Sequence, residues 1–555
     1  MNIPGSDTVA PTNYRGAEWW RSAVIYQVYP RSFADSDGDG IGDLPGIATR
    51  LPYLARLGVD ALWLSPFYQS PQADAGYDVT DYRAVDPLFG KIEDFDRFLL
   101  QAHSLGIKVI IDLVPNHTSD EHAWFKAALG SPPESAARAR YIWRNGRGPM
   151  GRLPPNNWQS VFGGSAWSRP ANERQWYLHL FDSRQPDLNW EHPEVRMEFE
   201  EILRFWLNRG IDGFRVDVAH GLIKDPALPD WERRVTMVEG DEDNGINQGP
   251  MWDQEGVHDI YRRWHHVLSE YPGQRMMVAE AWVRPQSRLA RYVRPDEMHQ
   301  AFNFDYLLAR WSATEFRTTI DASLASMGAV GAPATWVTSN HDTVRYASRL
   351  GLSQPGARPN GIDALSEQPD EKLGLQRARA AAFLTLALPG SVYLYQGEEL
   401  GLPEHTTLAA QYRQDPTFRR SGGDEIGRDG SRVPIPWRAQ APSYGFGTSK
   451  EAWLPQPGYF ARYAVDQQDK VPGSTLELYR ELLQLRRAHN LGSGSLHWQS
   501  SASDTLVFDN GMLRVAVNLG YADAALPAGK PIVSSQPLTR GGTLPGNTAA
   551  WLAAP

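Results

Sequence analysis

GFRVDVAHG (213–221) is a short apolar run that ends on a carboxylate, Asp217. Two other runs end the same way, MMVAEAW (276–282) on Glu280 and TWVTSNHDTVR (335–345) on Asp342. A charged side chain at the end of a buried strand is costly to place. A parallel barrel gives it a reason, because the active site of that fold lies where the strands end. Carboxylates gathered in such a pocket suit glycoside cleavage, in which one group attacks and another donates a proton.

Working outward, eight runs read as buried strands: VIYQVYP (24–30), ALWLSP (61–66), VIIDLVPNH (109–117), GFRVDVA (213–219), MMVAEAW (276–282), AFNFDYL (301–307), TWVTSNHD (335–342) and SVYLYQGEE (391–399). Helical patterns separate most of them. In KIEDFDRFLLQAHSLG (91–106), Phe95, Phe98, Leu99 and Ala102 fall on one face and Gly106 stops the helix. Repeated strand–helix alternation predicts an α/β fold, a (β/α)8 TIM barrel. A doubly wound sheet is disfavoured because no Gly-rich phosphate loop follows the first strand. The barrel is assigned to 1–116 and 190–490. A Pro-, Gly- and Trp-rich stretch makes 117–189 an inserted domain after the third strand, and a second excursion runs from about 400 to 470. Short alternating runs such as DTLVFDNGMLRVAVNLG (504–520) make 491–555 a small C-terminal antiparallel β domain.

The chain has 555 residues and a formal charge of −10. That balance disfavours nucleic acid, which needs concentrated Lys and Arg. No cysteine is present, which excludes disulfides, thiolate metal sites and thiol nucleophiles. The N-terminal residues show no leader pattern, and AAAFLTLALPG (380–390) is too short to span a bilayer, so a cytoplasmic protein without membrane association is expected. Oligomeric state is not readable.

Four strand-end motifs, DLVPNH (112–117), GFRVDVAHG, VAEAW and TSNHD, resemble in order the signature regions of the α-amylase superfamily, glycoside hydrolase family 13. QPDLNW (185–190) and GRDGSRVPIPW (427–437) resemble its α-glucosidase and oligo-1,6-glucosidase branch. The resemblance covers about residues 19–490. It implies that Asp217 is the nucleophile, Glu280 the general acid/base and Asp342 the transition-state stabiliser. Arg215, two residues before Asp217 and on the same strand face, is expected to keep Asp217 ionised. Glu280, crowded by carboxylates, is expected to hold its proton near neutrality. The outcome would be double displacement with retention, the carboxylates being roughly 5 Å apart.

The same resemblance implies that His117 and His341 bind the innermost sugar. In DAGYDVTDY (74–82), Tyr77 would be a stacking platform and Asp78 would grip the terminal glucose, paired with Arg428 of GRDG to wall off the pocket beyond one sugar. Asp78 also reads as a turn residue. Phe162 and Phe181 resemble aromatic residues near the sugar in α-glucosidases, and both also suit packing of the insert on the barrel. Val218, directly after the nucleophile, points to α-1,6 linkages by likeness to related enzymes, although DVAHG departs from the usual oligo-1,6-glucosidase pattern.

DSDGDGIGD (35–43) sets Asp35, Asp37, Asp39 and Asp43 at alternating positions, with the Ile41 carbonyl between. Hard oxygen donors at this spacing suit Ca2+, with Gly38, Gly40 and Gly42 allowing a tight wrap. The alternative is a solvated acidic turn. An EF-hand is excluded, since the twelfth position from Asp35 is Gly46 rather than Glu. Oligo-1,6-glucosidase relatives carry a similar loop that binds Ca2+ or Mg2+, and the metal would be structural.

These features together predict a retaining, exo-acting α-glucosidase acting on short α-1,4- or α-1,6-linked oligosaccharides. One rival is a glucosyltransferase or isomerase of the same family, of trehalose synthase or sucrose isomerase type. Another is a non-catalytic carbohydrate-binding homologue, which the intact acidic trio opposes.

Overall fold

The computed structural model describes residues 18–171, 173–232, 249–356 and 359–555. The segment 1–17, part of the stretch read above for a leader, lies outside them. Eight parallel strands form one sheet: β1 (Val24–Val28), β2 (Ala61–Leu64), β3 (Lys108–Leu113), β4 (Gly213–Val216), β5 (Met276–Ala279), β6 (Gln300–Ala301), β7 (Thr335–Val337) and β8 (Ser391–Tyr395). The order β6-β5-β4-β3-β2-β1-β8-β7 wraps this sheet into a nearly closed barrel. Among the described residues the β6–β7 seam carries no ladder. There the Thr335 hydroxyl donates to the Ala301 carbonyl.

Alternation along each strand builds two apolar layers. Tyr26, Leu62, Val109, Ile111 and Phe214 face outward into the core shared with the surrounding helices. Ile25, Ala61, Trp63, Ile110, Met276, Val278 and Tyr393 fill the barrel. The longer helices among the described residues are α1 (Leu44–Leu57), α2 (Ile92–Ser104), α3 (Pro193–Arg209), α4 (Val257–Ser269), α5 (Ala313–Ala329), α6 (Glu371–Ala387) and α7 (Thr475–Ala488). Phe95, Phe98, Leu99 and Ala102 are the buried face of α2. Among the described residues, no helix is long and apolar enough to cross a membrane.

The sixth strand departs from the sequence reading. AFNFDYL (301–307) yields only the last residue of a two-residue strand, and Phe304–Leu308 is a helix. Asn303 makes the difference. Its amide oxygen accepts from the Tyr306 backbone N–H and caps that helix, while its amide nitrogen donates to Ser323 Oγ at 2.7 Å. A short apolar run does not by itself distinguish strand from helix.

Two excursions leave from the C-terminal side of the barrel, one after β3 and one after β8. The first carries a three-stranded antiparallel sheet, Trp143–Asn145, Gln175–Leu178 and Trp167–Ser168. The second, near 400–470, is built of short helices and turns. The chain ends in a five-stranded antiparallel sheet from Leu496–Trp498 to Thr548–Ala553, with Trp551 edge-on to Phe383 of α6.

Asn303→Ala should cost about 2 kcal/mol, since it removes a helix cap and orphans the partners of a buried amide. Urea unfolding measures this. A loss below roughly 0.5 kcal/mol, the scale of ordinary surface changes, would show that the cap does not hold this turn.

Candidate active site

The register of β3 against β4 sets Asp112 opposite Arg215, both side chains pointing into the barrel at its C-terminal end. Arg215 is then surrounded by carboxylates. Its Nη1 lies 2.8 Å from Asp112 Oδ1 and 2.5 Å from Asp217 Oδ1, and its Nη2 lies 2.7 Å from Glu280 Oε2. Asp217 and Glu280 sit just past the ends of β4 and β5, where the Asp217 amide continues the ladder to Leu113 and the Glu280 amide to Val216. Between them Val218 takes a left-handed φ of +47°, and its amide donates to Glu280 Oε2 at 3.1 Å. That conformation is strained for a β-branched residue, and such strain gathers at functional sites.

Burial pushes the Asp217 carboxyl well above its ordinary range, and Arg215 offsets only part of that push. Glu280 and Asp112 add to it. The guanidinium expected to keep Asp217 ionised lowers its pKa as that reading requires, but it is divided among three acids. Asp112 is itself raised to about 7 by burial, against the pull of Arg215.

His341 stands behind this cluster. Gln27 Nε2 lies 2.7 Å from its Nδ1, and Tyr77 Oη lies 2.6 Å from its Nε2. The Tyr77 hydroxyl donates onward to Asp112 Oδ2 at 3.1 Å. Burial holds His341 neutral by dropping its pKa well below the usual value, and burial lowers His117 to about 4. His117 meets the Gln185 amide of QPDLNW at 3.1 Å and faces the Phe181 ring at 5.1 Å.

Asp342 forms a second charged centre. Its Oδ1 accepts from Arg428 Nη1 at 2.9 Å and from Arg432 Nη2 at 3.0 Å. Burial alone would raise its pKa, but His341, Arg428 and Arg432 outweigh burial and hold it well below the usual range. Arg428 reaches two further acids, Asp74 Oδ1 at 2.9 Å and Asp415 Oδ2 at 2.7 Å.

The Arg428 partner differs from the sequence reading. Asp74, not Asp78, makes the pair. Asp78 turns its carboxylate onto the backbone N–H groups of Ala73 and Asp74, at 2.7 and 2.9 Å, so the turn-residue reading describes it. DAGYD holds two acids four residues apart, and the local turn decides which one meets Arg428.

All of this faces one cavity of about 490 Å³, within the size range of small-molecule sites. Tyr77, His117, Asp217, Glu280, Asp342 and Arg428 line it, and so do Phe162, Phe181 and Val218. His341 and Arg215 lie behind this lining. Both phenylalanines also pack with Trp158, Trp167 and Trp252, so each does both things proposed for it. The sequence reading missed Asp74, Asp112, Trp282, Asp415 and Arg432. Asp112 was detectable as a charge at an inward position of a buried strand. Trp282, stacked face to face on Phe304 at 3.6 Å, carried no such signal.

Comparison with known proteins agrees with this geometry. Residues 27–494 match the family model for the α-amylase catalytic domain. The chain belongs to the α-amylase family of glycoside hydrolases. A Rhizobium meliloti protein described as "probable alpha-glucosidase" is 37% identical, with 97% of this chain and 95% of that protein covered. An oligo-1,6-glucosidase of Parageobacillus thermoglucosidasius is 35% identical, with 85% and 84% covered. Among solved structures, an α-glucosyl transfer enzyme is 38% identical with a TM-score of 0.83, covering 97% of this chain and 100% of its own.

In this α-amylase-family chain the acidic loop after β1 brings three of the five expected ligands together. The carboxylates of Asp35, Asp37 and Asp39 come within 4.8 Å of one another. Asp39 is raised by burial and then by its two acidic neighbours, so these charges crowd each other as a hard cation would require. Asp43 is engaged elsewhere. It caps α1 through the Gly46 amide and accepts from the Ser36 amide and hydroxyl at 2.9 Å. Ile41 donates its amide to Asp39 Oδ1 at 2.7 Å.

Asp74→Asn should raise KM for an α-linked disaccharide roughly tenfold, equivalent to about 1.4 kcal/mol. Arg428→Ala should raise it further, whereas Asp78→Asn should act mainly on stability. Steady-state kinetics with a parallel melt decides this. A larger KM effect at Asp78 than at Asp74 would reverse the assignment.

Proposed function

We propose that the protein is a retaining, exo-acting α-glucosidase that releases glucose from the non-reducing ends of short α-1,4- or α-1,6-linked oligosaccharides. The observation that carries this reading is the pair Asp217 and Glu280, held on the two Nη atoms of Arg215 and facing a sugar-sized cavity with Asp342. In the first step a carboxylate oxygen of Asp217 attacks the anomeric carbon while Glu280 gives its proton to the glycosidic oxygen. The aglycone leaves as an alcohol, and glucose remains as an ester on Asp217. In the second step Glu280 takes a proton from water, the water oxygen attacks the anomeric carbon, and the Asp217 carboxylate departs. The first step needs Glu280 as the acid and Asp217 as the anion, the latter held by Arg215 Nη1. Asp342, kept anionic by Arg428 and Arg432, would accept hydrogen bonds from the sugar hydroxyls.

The Asp74–Arg428–Asp342 array supports exo action, because it sets a charged wall beside the first sugar. Val218 on the cavity wall supports α-1,6 bonds among the substrates. Transfer of glucose to a second sugar is the second reading, supported by the 38% identity to an α-glucosyl transfer enzyme. It uses the same covalent intermediate with a sugar hydroxyl in place of water.

We further propose that Asp35, Asp37 and Asp39 hold a structural Ca2+, with Mg2+ as the alternative. Ca2+ at about a hundred times its Kd should stabilise the protein by about 2.7 kcal/mol over the chelated form. Thermal melts with and without EDTA read this out, and identical curves would remove the metal from the account.

Proton NMR of the first-formed product should show α-glucose, and the β anomer would refute double displacement. Glu280→Gln should lower kcat/KM for a disaccharide by about 10²–10⁴-fold, with a much smaller loss of kcat/KM on p-nitrophenyl α-glucoside, whose leaving group needs no proton. Asp217→Ala should be inactive on both, and full turnover there would remove the nucleophile assignment.

A further inference from the structure

The two excursions both line the cavity, and Arg420 is one of the side chains that tie them together. The short helix Pro416–Arg420 lies in the second excursion. Its last residue, Arg420, donates from Nε at 3.1 Å and from Nη2 at 2.6 Å to the carbonyl of Gly163 in the insert. Arg420 Nη1 also lies 3.6 Å from Asp182 Oδ2. These two targets are the residues directly after Phe162 and Phe181, the aromatic pair of the cavity wall. Arg420 therefore grips the backbone or side chain that follows each ring.

The gripped loop is small and turned by glycine. Gly163 and Gly164 both have left-handed φ, +91° and +73°. Ser160 N–H donates to the Gly164 carbonyl and Gly163 N–H to the Ser160 carbonyl. Phe162 sits at the tip, its ring edge-on to Phe181 with centroids 5.7 Å apart. Two consecutive glycines leave this tip with little conformational resistance of its own. Within the insert the loop is held by Val161 N–H on the Leu180 carbonyl and by Phe162 N–H on Ser160 Oγ, and Arg420 adds two hydrogen bonds from the other excursion.

The other end of the same helix fixes the charged wall. Asp415 caps it by accepting from Thr417 N–H and also accepts from the Arg428 backbone N–H and Nε, each at 2.7 Å. The Arg428 guanidinium carbon lies 5.2 Å from the centre of the Phe162 ring. A closed loop results: Asp415 to Arg428, Arg428 to Phe162, Phe162 to Gly163, Gly163 to Arg420, and Arg420 back along the helix to Asp415. Thr417, on the same helix, lines the cavity.

We propose that Arg420 is a positioning residue for specificity, a clasp that holds Phe162 and Phe181 against the Arg428 wall and so sets the space for whatever follows the first glucose. This rests on the α-glucosidase reading for its substrate. Arg420 acts through the two rings and not on the reacting atoms, so its loss falls on binding and on the choice between water and sugar as acceptor. A second sugar held between the rings intercepts the glucosyl ester, and a loosened mouth admits water in its place.

The test compares wild type with Arg420→Ala, Arg420→Lys and Asp182→Asn. Arg420→Ala should raise KM for a disaccharide about fivefold to tenfold, with kcat within roughly twofold. It should also lower the ratio of transfer products to free glucose at high substrate by a similar factor. Lys should restore part of both effects, and Asp182→Asn should give a smaller shift in the same direction. Amide hydrogen exchange at Val161–Gly164 in the sugar-free protein should speed up in Arg420→Ala. Unchanged exchange overturns the clasp whatever the substrate. Faster exchange with KM and product ratio unchanged overturns its role in specificity. Wild type failing to cleave any α-glucoside would instead overturn the functional reading, while the exchange result would still decide whether Arg420 is a clasp.

Discussion

Arg215 is the interaction on which the rest of the centre depends. Its guanidinium is shared among Asp112, Asp217 and Glu280 inside a barrel lined otherwise by Trp63, Ile110 and Val278. Three acids around one cation leave an excess of negative charge in a place that solvates it poorly. The cluster relieves that excess by retaining protons, as the raised Asp112 and Asp217 indicate. A glycosidase of the retaining kind needs a carboxylate and a carboxylic acid side by side. With one arginine divided among three acids, burial competes with the shared cation over the charge of Asp112 and Asp217. Removing one partner of a buried ion pair costs roughly 3–5 kcal/mol, so the residue that tunes the chemistry also holds the top of the barrel together.

The second charged centre solves a different problem. Asp342 has two arginines, Arg428 and Arg432, and stays anionic. The first centre thus sets three acids around one cation, whereas Asp342 meets two, although His341 adjoins both centres through Tyr77 and its own chain neighbour. The contrast lets neighbouring carboxylates in one cavity perform proton transfer in one case and steady hydrogen bonding in the other.

The sequence made the barrel and the acidic trio readable because both are periodic or positional: alternation marks the strands, and a charge at the end of a buried run marks the face. It was weaker where a single side chain decides between two local structures. Asn303 converts the sixth run from strand to helix by capping, and the choice between Asp74 and Asp78 depends on which carboxylate the turn consumes. Side chains brought in from remote segments, such as Asp415, Arg420 and Arg432, leave no pattern in their own neighbourhood, because what they do is defined by a partner far away in the chain.

The same division bears on specificity. The reacting groups stand on the barrel, where ladder register fixes Asp112 against Arg215 and backbone bonds fix Asp217 and Glu280. The walls that meet the aglycone stand on the two excursions, joined to each other by side chains. A barrel strand cannot slip by one residue without turning its inward face outward, whereas a loop can be rebuilt at little cost to the core. Under the proposed double displacement, hydrolysis and transfer can therefore use one set of reacting groups, the outcome being set at the mouth. In this chain the mouth is narrowed by aromatic rings that hold their place through contacts made outside the cavity, so the geometry of a few rim bonds, and not the identity of the catalytic acids, governs what the glucosyl group meets next.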